Sequence, residues 1–166
     1  NGKNPGSISD SPQIFANAKR LAEEGVYMDV GHGAASYNFK VAKEAIANGL
    51  KPYSISTDLH GWNLNGPVYD LATTVSKLYA AGLSLDECVN AVTCNPRNFL
   101  ALKNAATLAI GNKADFTIFD VNDCDEKVTD SQGNEMTMKS AFEPKMVISG
   151  AKTFLSERTK TPQNNS

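Results

Sequence analysis

Ser54-Ile55-Ser56-Thr57-Asp58 ends a short β-branched run on a lone carboxylate. Upstream, Val26-Tyr27-Met28-Asp29-Val30-Gly31-His32-Gly33 does something similar, leaving a histidine between two glycines. Each run is followed by a segment of helical periodicity, so the two read as consecutive strand–loop–helix units. A metal-competent or proton-transfer side chain just past each strand is the pattern of an α/β barrel, whose chemistry sits at the C-terminal strand ends.

Working outward, the flanking elements carry their own start and stop signals. Ser11-Pro12 opens a helix whose apolar positions Ile14, Phe15, Ala18, Leu21 and Ala22 keep helical spacing until Gly25. The two strands are predicted over Val26–Val30 and Tyr53–Thr57, separated by a helix over Phe39–Ala47 that stops at Asn48-Gly49. Beyond the polar loop Leu59–Pro67, helices are predicted over Val68–Ala81, Leu85–Ala91 with a Ser84/Glu87 capping box, and from Asn95-Pro96-Arg97 to Leu102. From about residue 106 the character changes to short strand candidates, Thr107–Ile110, Phe116–Phe119, Lys127–Thr129, Met136–Lys139 and Lys145–Ile148, with a last hairpin at Ser149-Gly150-Ala151-Lys152. The domain reading is therefore a partial barrel over 1–105, a small β module over 106–158 and a disordered tail over 159–166.

Composition narrows the class. The chain has 166 residues with 41% hydrophobic and 20% charged side chains, a globular balance. A net charge of −2 gives no electrostatic reason to expect nucleic acid or an anionic membrane as partner. No apolar run approaches the roughly 20 residues of a membrane helix. Cys88, Cys94 and Cys124 match no zinc or redox spacing, which points to a reduced, cytoplasmic setting. The opening Asn1-Gly2-Lys3-Asn4-Pro5-Gly6 reads like an active-site loop entered midway, so the chain is expected to be the C-terminal part of a longer protein.

Asp58 is the strongest candidate for chemistry, because a lone carboxylate desolvated at a strand exit must be ligated, hydrogen-bonded or catalytic. Its bland reading is a loop or helix cap. For His32 two readings stand side by side: a ligand-facing imidazole that the glycines let come close, or a satisfied histidine in a tight turn. His60 lies in the loop of Asp58, either reaching the same pocket or exposed. Asp29 is read as structural, and Ser36 as a mouth residue or a helix N-cap. No nucleophile elbow, phosphate loop or dinucleotide fingerprint is present.

Asp29–Ser36 (Asp-Val-Gly-His-Gly-Ala-Ala-Ser), Ile55–Asp58, Pro67–Lys77, Val92–Pro96 and Gly111–Phe116 together resemble the amidohydrolase superfamily, in its dihydroorotase-like branch of deacetylases and adenine deaminases. The resemblance runs from Asn1 to about Lys152. It implies a (β/α)₈ barrel of the TIM type with one or two divalent metals, usually zinc. It makes Asp58 the aspartate closing the eighth strand, a metal ligand that also takes a proton from the attacking hydroxide. Val26–Val30 then counts as the seventh strand, with His32, Gly33 and His60 on the substrate side. The later module corresponds to a flanking β-sandwich. The other metal ligands of the superfamily are missing from the sequence, and of the metal shell only Asp58 is present.

The expected function is that of a C-terminal segment of a metal-dependent amidohydrolase acting on an amide, cyclic amide or ester, with deacetylation among the options. Its expected partners are a small-molecule substrate and the N-terminal half of the barrel, and a homo-oligomer is open. Alone, the segment is expected to be inactive and poorly stable, because two barrel strands leave open edges. The competing readings are a non-catalytic remnant or interaction module, and a self-contained hydrolytic domain built on His32 and Asp58.

Overall fold

The computed structural model describes residues 7–102 and 108–160. Helix α1 (Pro12–Glu23) starts where Ser11 accepts a hydrogen bond from the Ile14 amide at 3.2 Å, and ends before Gly25 at φ +94°. Strand β1 (Asp29–Gly31), helix α2 (Phe39–Ala47) and strand β2 (Ser54–Ser56) form one strand–helix–strand unit. The two strands pair in parallel, Asp29 with Ser54, Val30 with Ile55 and Gly31 with Ser56. Both are shorter than the predicted runs. The N-cap of α2 is Asn38, which accepts from the Val41 amide at 3.0 Å, so Ser36 is not the cap.

Helix α3 (Leu71–Ala81) begins three residues later than predicted, because Asp70 caps it by accepting from the Thr73 amide at 2.6 Å. Residues Thr73 to Leu78 are all buried, so α3 runs through the core rather than along its surface. Helix α4 (Leu85–Val92) carries the expected capping box of Ser84 and Glu87. Helix α5 (Cys94–Phe99) is shorter than its predicted run to Leu102.

The β module differs most from expectation. Two long antiparallel strands, β3 (Asp115–Thr129) and β4 (Glu135–Ser149), replace four of the short ones, and β5 (Lys152–Leu155) completes a three-stranded sheet in the order β3-β4-β5. The register slips between Ile118 and Phe119, where Pro144 faces Phe119, and again between Asp123 and Glu126. Such slips break the period-two alternation on which strand prediction rests, and a proline without an N–H fits there. Leu108–Ile110 is not a strand: the Asn112 amide closes a turn on the Ala109 carbonyl at 3.2 Å. Among the described residues the module forms one three-stranded sheet. The predicted boundary at 105/106, Thr107 and residues 161–166 of the tail lie outside the described residues, as does the opening loop 1–6.

A single buried cluster joins both parts, from Tyr37, Phe39, Ile46 and Ile55 through Val75 and Leu78 of α3 to Val128, Met138 and Phe142 of the sheet. The Ser76 hydroxyl of α3 accepts from the Phe142 amide of β4 at 2.9 Å. By contrast, no residue of α1 is buried, and the predicted apolar positions Ile14 and Leu21 stand 44% and 36% exposed. Phe15, Ala18 and Ala22 of the same stripe are half-buried. No helix among them is long and apolar enough to cross a membrane.

Candidate active site

The pairing of β1 and β2 continues past the strands, since the His32 amide donates to the Ser56 carbonyl at 3.3 Å and the Gly33 amide to the Thr57 carbonyl at 3.0 Å. That register delivers His32 and Gly33 beside Thr57 and Asp58 at the C-terminal ends of both strands. Ile55 points into the core at 5% exposure, while Asp29, Ser56 and Asp58 are exposed. The Asp29 carboxylate accepts from Ser54 Oγ and Ser56 Oγ, each at 2.6 Å, which makes it a clamp across the two strands. A side chain on Gly31 would fall 3.3 Å from Ser56 Oγ and 3.8 Å from Asp58 Cβ, so all these groups share one polar face.

Asp58 stands at φ +50°, a left-handed conformation that aspartate tolerates better than most residues. A Cβ on Gly33 would lie 2.7 Å from Asp58 Oδ2, and Gly33 itself is at φ +56°. Only glycine permits the carboxylate to lie there. Among the described residues the Asp58 carboxylate has no hydrogen bond or ion pair, and it faces solvent. Its backbone carbonyl accepts from Asn63 Nδ2 at 2.8 Å.

Asn63, fully buried, organises the loop that follows. Its Oδ1 accepts from the His60 amide at 2.8 Å, and its carbonyl accepts from the amides of Gly66, Val68 and Tyr69. His60 is exposed on this loop. Its Nδ1 accepts from the Trp62 amide at 3.3 Å, and its ring meets that of Trp62 edge-on at 6.1 Å. No hydrogen bond joins the His60 ring to Asp58 among the described residues.

His32 is fully buried, and both ring nitrogens are engaged. Nε2 accepts from Lys77 Nζ at 2.9 Å, leaving Nδ1–H to donate to the Gly33 carbonyl at 3.0 Å. The ring lies against Tyr37 at 4.7 Å between centroids. Burial, then the neighbouring ammonium, lowers the imidazole from 6.5 to about 4, so it is neutral at pH 7. In this arrangement the ring is enclosed on all sides, and its neighbour Gly33 is buried with it.

Lys77 is the residue sequence reasoning left without a role. Its side chain is completely buried, and its three N–H groups find three acceptors: His32 Nε2, the Pro67 carbonyl at 2.5 Å and the Thr129 carbonyl at 2.7 Å. Burial pulls the ammonium down to about 7, partly offset by the charges of Asp130, Asp70 and Glu126. A signal was present, since Lys77 is the lone charged side chain in the eleven residues of α3. Ser131, just past β3, adds to the same corner. Its Oγ lies 3.0 Å from both the His32 and Gly33 carbonyls and accepts from the Tyr37 amide.

A catalytic metal needs about three protein ligands. Among the described residues no group of three or more His, Cys, Asp or Glu side chains could hold a metal ion. Asp58 offers one accessible carboxylate, which fits a ligand but not a complete centre.

The sequence and the fold both have relatives. The amidohydrolase family profile matches residues 14–154. A deacetylase of Agrobacterium fabrum is 47% identical over 158 residues, which make up 95% of this chain and 39% of that protein. The solved structure of a dihydroorotase superposes with a TM-score of 0.90 at 45% identity, covering 98% of this chain and 42% of the other. That of an adenine deaminase gives 0.80 at 37% identity, covering 88% of this chain and 39% of the other. The chain thus spans 39% to 42% of the length of these relatives. Matched along most of its length in sequence and in fold, the chain belongs to the amidohydrolase family, in the branch whose members are named deacetylase, dihydroorotase and adenine deaminase.

Proposed function

We propose that this chain is the C-terminal part of a metal-dependent hydrolase that cleaves an amide, cyclic amide or ester, with an acetylated amine the substrate type suggested by the deacetylase relatives. In this reading β1 and β2 are the seventh and eighth strands of a (β/α)₈ barrel, and the three-stranded sheet is part of a flanking β-sandwich. The observation that carries it is Asp58: a solvent-facing carboxylate without a partner, held in a left-handed conformation against Gly33 at the ends of two parallel strands. Family membership and the exposed polar face of Asp29, Ser56 and Asp58 support the same reading, since that face suits a barrel interior closed by further strands.

Asp58 is then the single metal ligand supplied by this chain, and the base that accepts a proton as water adds to the substrate carbonyl. A divalent metal, zinc by resemblance, would supply the activated water when bound; its remaining ligands come from the N-terminal half of the barrel, the partner this chain requires. Gly33 and His60 face the substrate side, and His32 serves it by holding Gly33. A reduced, cytoplasmic setting goes with the odd cysteine count.

Two measurements test this. In the protein with a complete barrel, Asp58→Asn is expected to lower hydrolysis of N-acetyl amines and cyclic amides about a thousandfold with the fold intact; unchanged turnover would overturn the assignment. The 166-residue chain by itself, dialysed and measured by plasma mass spectrometry, is expected to hold well under one metal per chain and to hydrolyse nothing. One tightly held zinc per chain would instead mean a self-contained site. The second reading, a non-catalytic module that keeps the fold, is favoured by the lack of a three-ligand group among the described residues; it predicts that Asp58→Asn changes nothing in any assembly.

A further inference from the structure

We propose that Lys77, which touches neither the metal position nor the substrate face, is the positioning residue that sets the Asp58 loop against Gly33. The inference rests on the reading of Asp58 as the reacting carboxylate. An ammonium buried without water is costly, and an apolar side chain would fill the same space at less cost. What an apolar residue cannot do is bind three carbonyl or imidazole acceptors at once.

Those three acceptors come from three different segments, and each leads to the site. His32 Nε2 belongs to the loop after β1; its other nitrogen holds the Gly33 carbonyl, and the Gly33 amide holds Thr57, the residue before Asp58. The Pro67 carbonyl closes the far end of the loop that Asp58 opens, while Asn63 pins the near end through the Asp58 carbonyl. The Thr129 carbonyl ends β3, two residues before Ser131, whose hydroxyl reaches the His32 and Gly33 carbonyls. One charge therefore fixes the spacing between Gly33 and the Asp58 loop from both sides, and the hairpin of the β module braces it from behind.

Amide exchange followed by mass spectrometry, with steady-state kinetics, tests this in the protein with a complete barrel. Lys77→Met keeps the length of the side chain and removes all three donors. Exchange in the segments 32–36 and 58–69 is expected to accelerate about tenfold or more, with α2 and α4 unchanged. In parallel, kcat is expected to fall about a hundredfold with KM within about threefold, because misplaced groups raise the barrier without weakening substrate binding. Uniform acceleration across all helices would reduce Lys77 to packing and overturn the proposal, as would unchanged exchange in both loops. Should Lys77→Met fail to fold, Ser131→Ala decides: faster exchange at 32–36 with a kcat loss of about tenfold supports the device, and neither change overturns it. Loosened loops with unaltered kcat would leave the positioning role standing and retire Asp58 as the reacting carboxylate.

Discussion

At the scale of single residues, the placement of the Asp58 carboxylate depends on a glycine. Gly33 is at φ +56°, and a methyl group there would meet Asp58 Oδ2 at 2.7 Å. Gly33→Ala is therefore expected to cost about 1–2 kcal/mol of stability from the backbone alone. It should also push the carboxylate aside and reduce turnover about tenfold or more. Denaturant midpoints and kcat measured on the same preparation separate the two effects, and full activity would mean that the Gly33–Asp58 contact is incidental. Asp58 stood out in the sequence because a carboxylate ending a β-branched run has few bland explanations, and its strand-end position was legible there. His32 was legible as unusual but not as buried. Whether a histidine between glycines faces a ligand or a lysine depends on a helix 45 positions later in the chain.

At the scale of elements, the tip of the β3–β4 hairpin is a polar joint between the two parts of the molecule, beside the shared core. Asp130, 2% exposed, accepts from the Phe39 amide at 3.0 Å, from the Gln132 and Asn134 amides at 2.8 and 2.9 Å, and from Asn134 Nδ2 at 2.9 Å. Burial would raise this carboxyl, but those donors together hold it below the usual carboxylate range. Asp130→Ala strands the buried Phe39 amide and undoes the turn held by the Gln132 and Asn134 donors, and is expected to cost about 2 kcal/mol, read as a lower urea midpoint. A loss below about 0.5 kcal/mol would mean that the tip is held mainly by Ser131 and Gln132. Helices with caps in the sequence were legible to within a residue or so, as Ser11-Pro12 and Ser84/Glu87 show. The hairpin was not, because its two register slips and the charged run from Asp120 to Lys127 interrupt the alternation that marks a strand.

At the scale of the whole molecule, buried titratable groups make stability depend on pH. The folded state holds His32 near 4, against 6.5 for a free imidazole, so on acidification the unfolded chain binds this proton first. Stability is lost as pH falls from about 6.5 to 4, by up to about 3 kcal/mol from this group. Lys77 has the same sign at higher pH, since its folded value near 7 lies below 10.5 and stability rises between them. Urea unfolding is expected to show a midpoint that declines steeply below pH 6.5, with the decline flattened in His32→Gln. An acid limb unaltered by that substitution would place the proton uptake elsewhere.

The sequence by itself determined the capped helices and set Asp58 apart as the candidate carboxylate. Caps, glycine stops and a β-branched run ending in aspartate act over a few residues, and nothing distant is needed to read them. Only the tertiary structure decided how the site is held. Lys77 meets Thr129 across 52 positions, and Asp130 meets Phe39 across 91. A buried charge must collect its partners wherever the fold brings them, so which acceptors satisfy it is a property of packing and leaves no period in the chain.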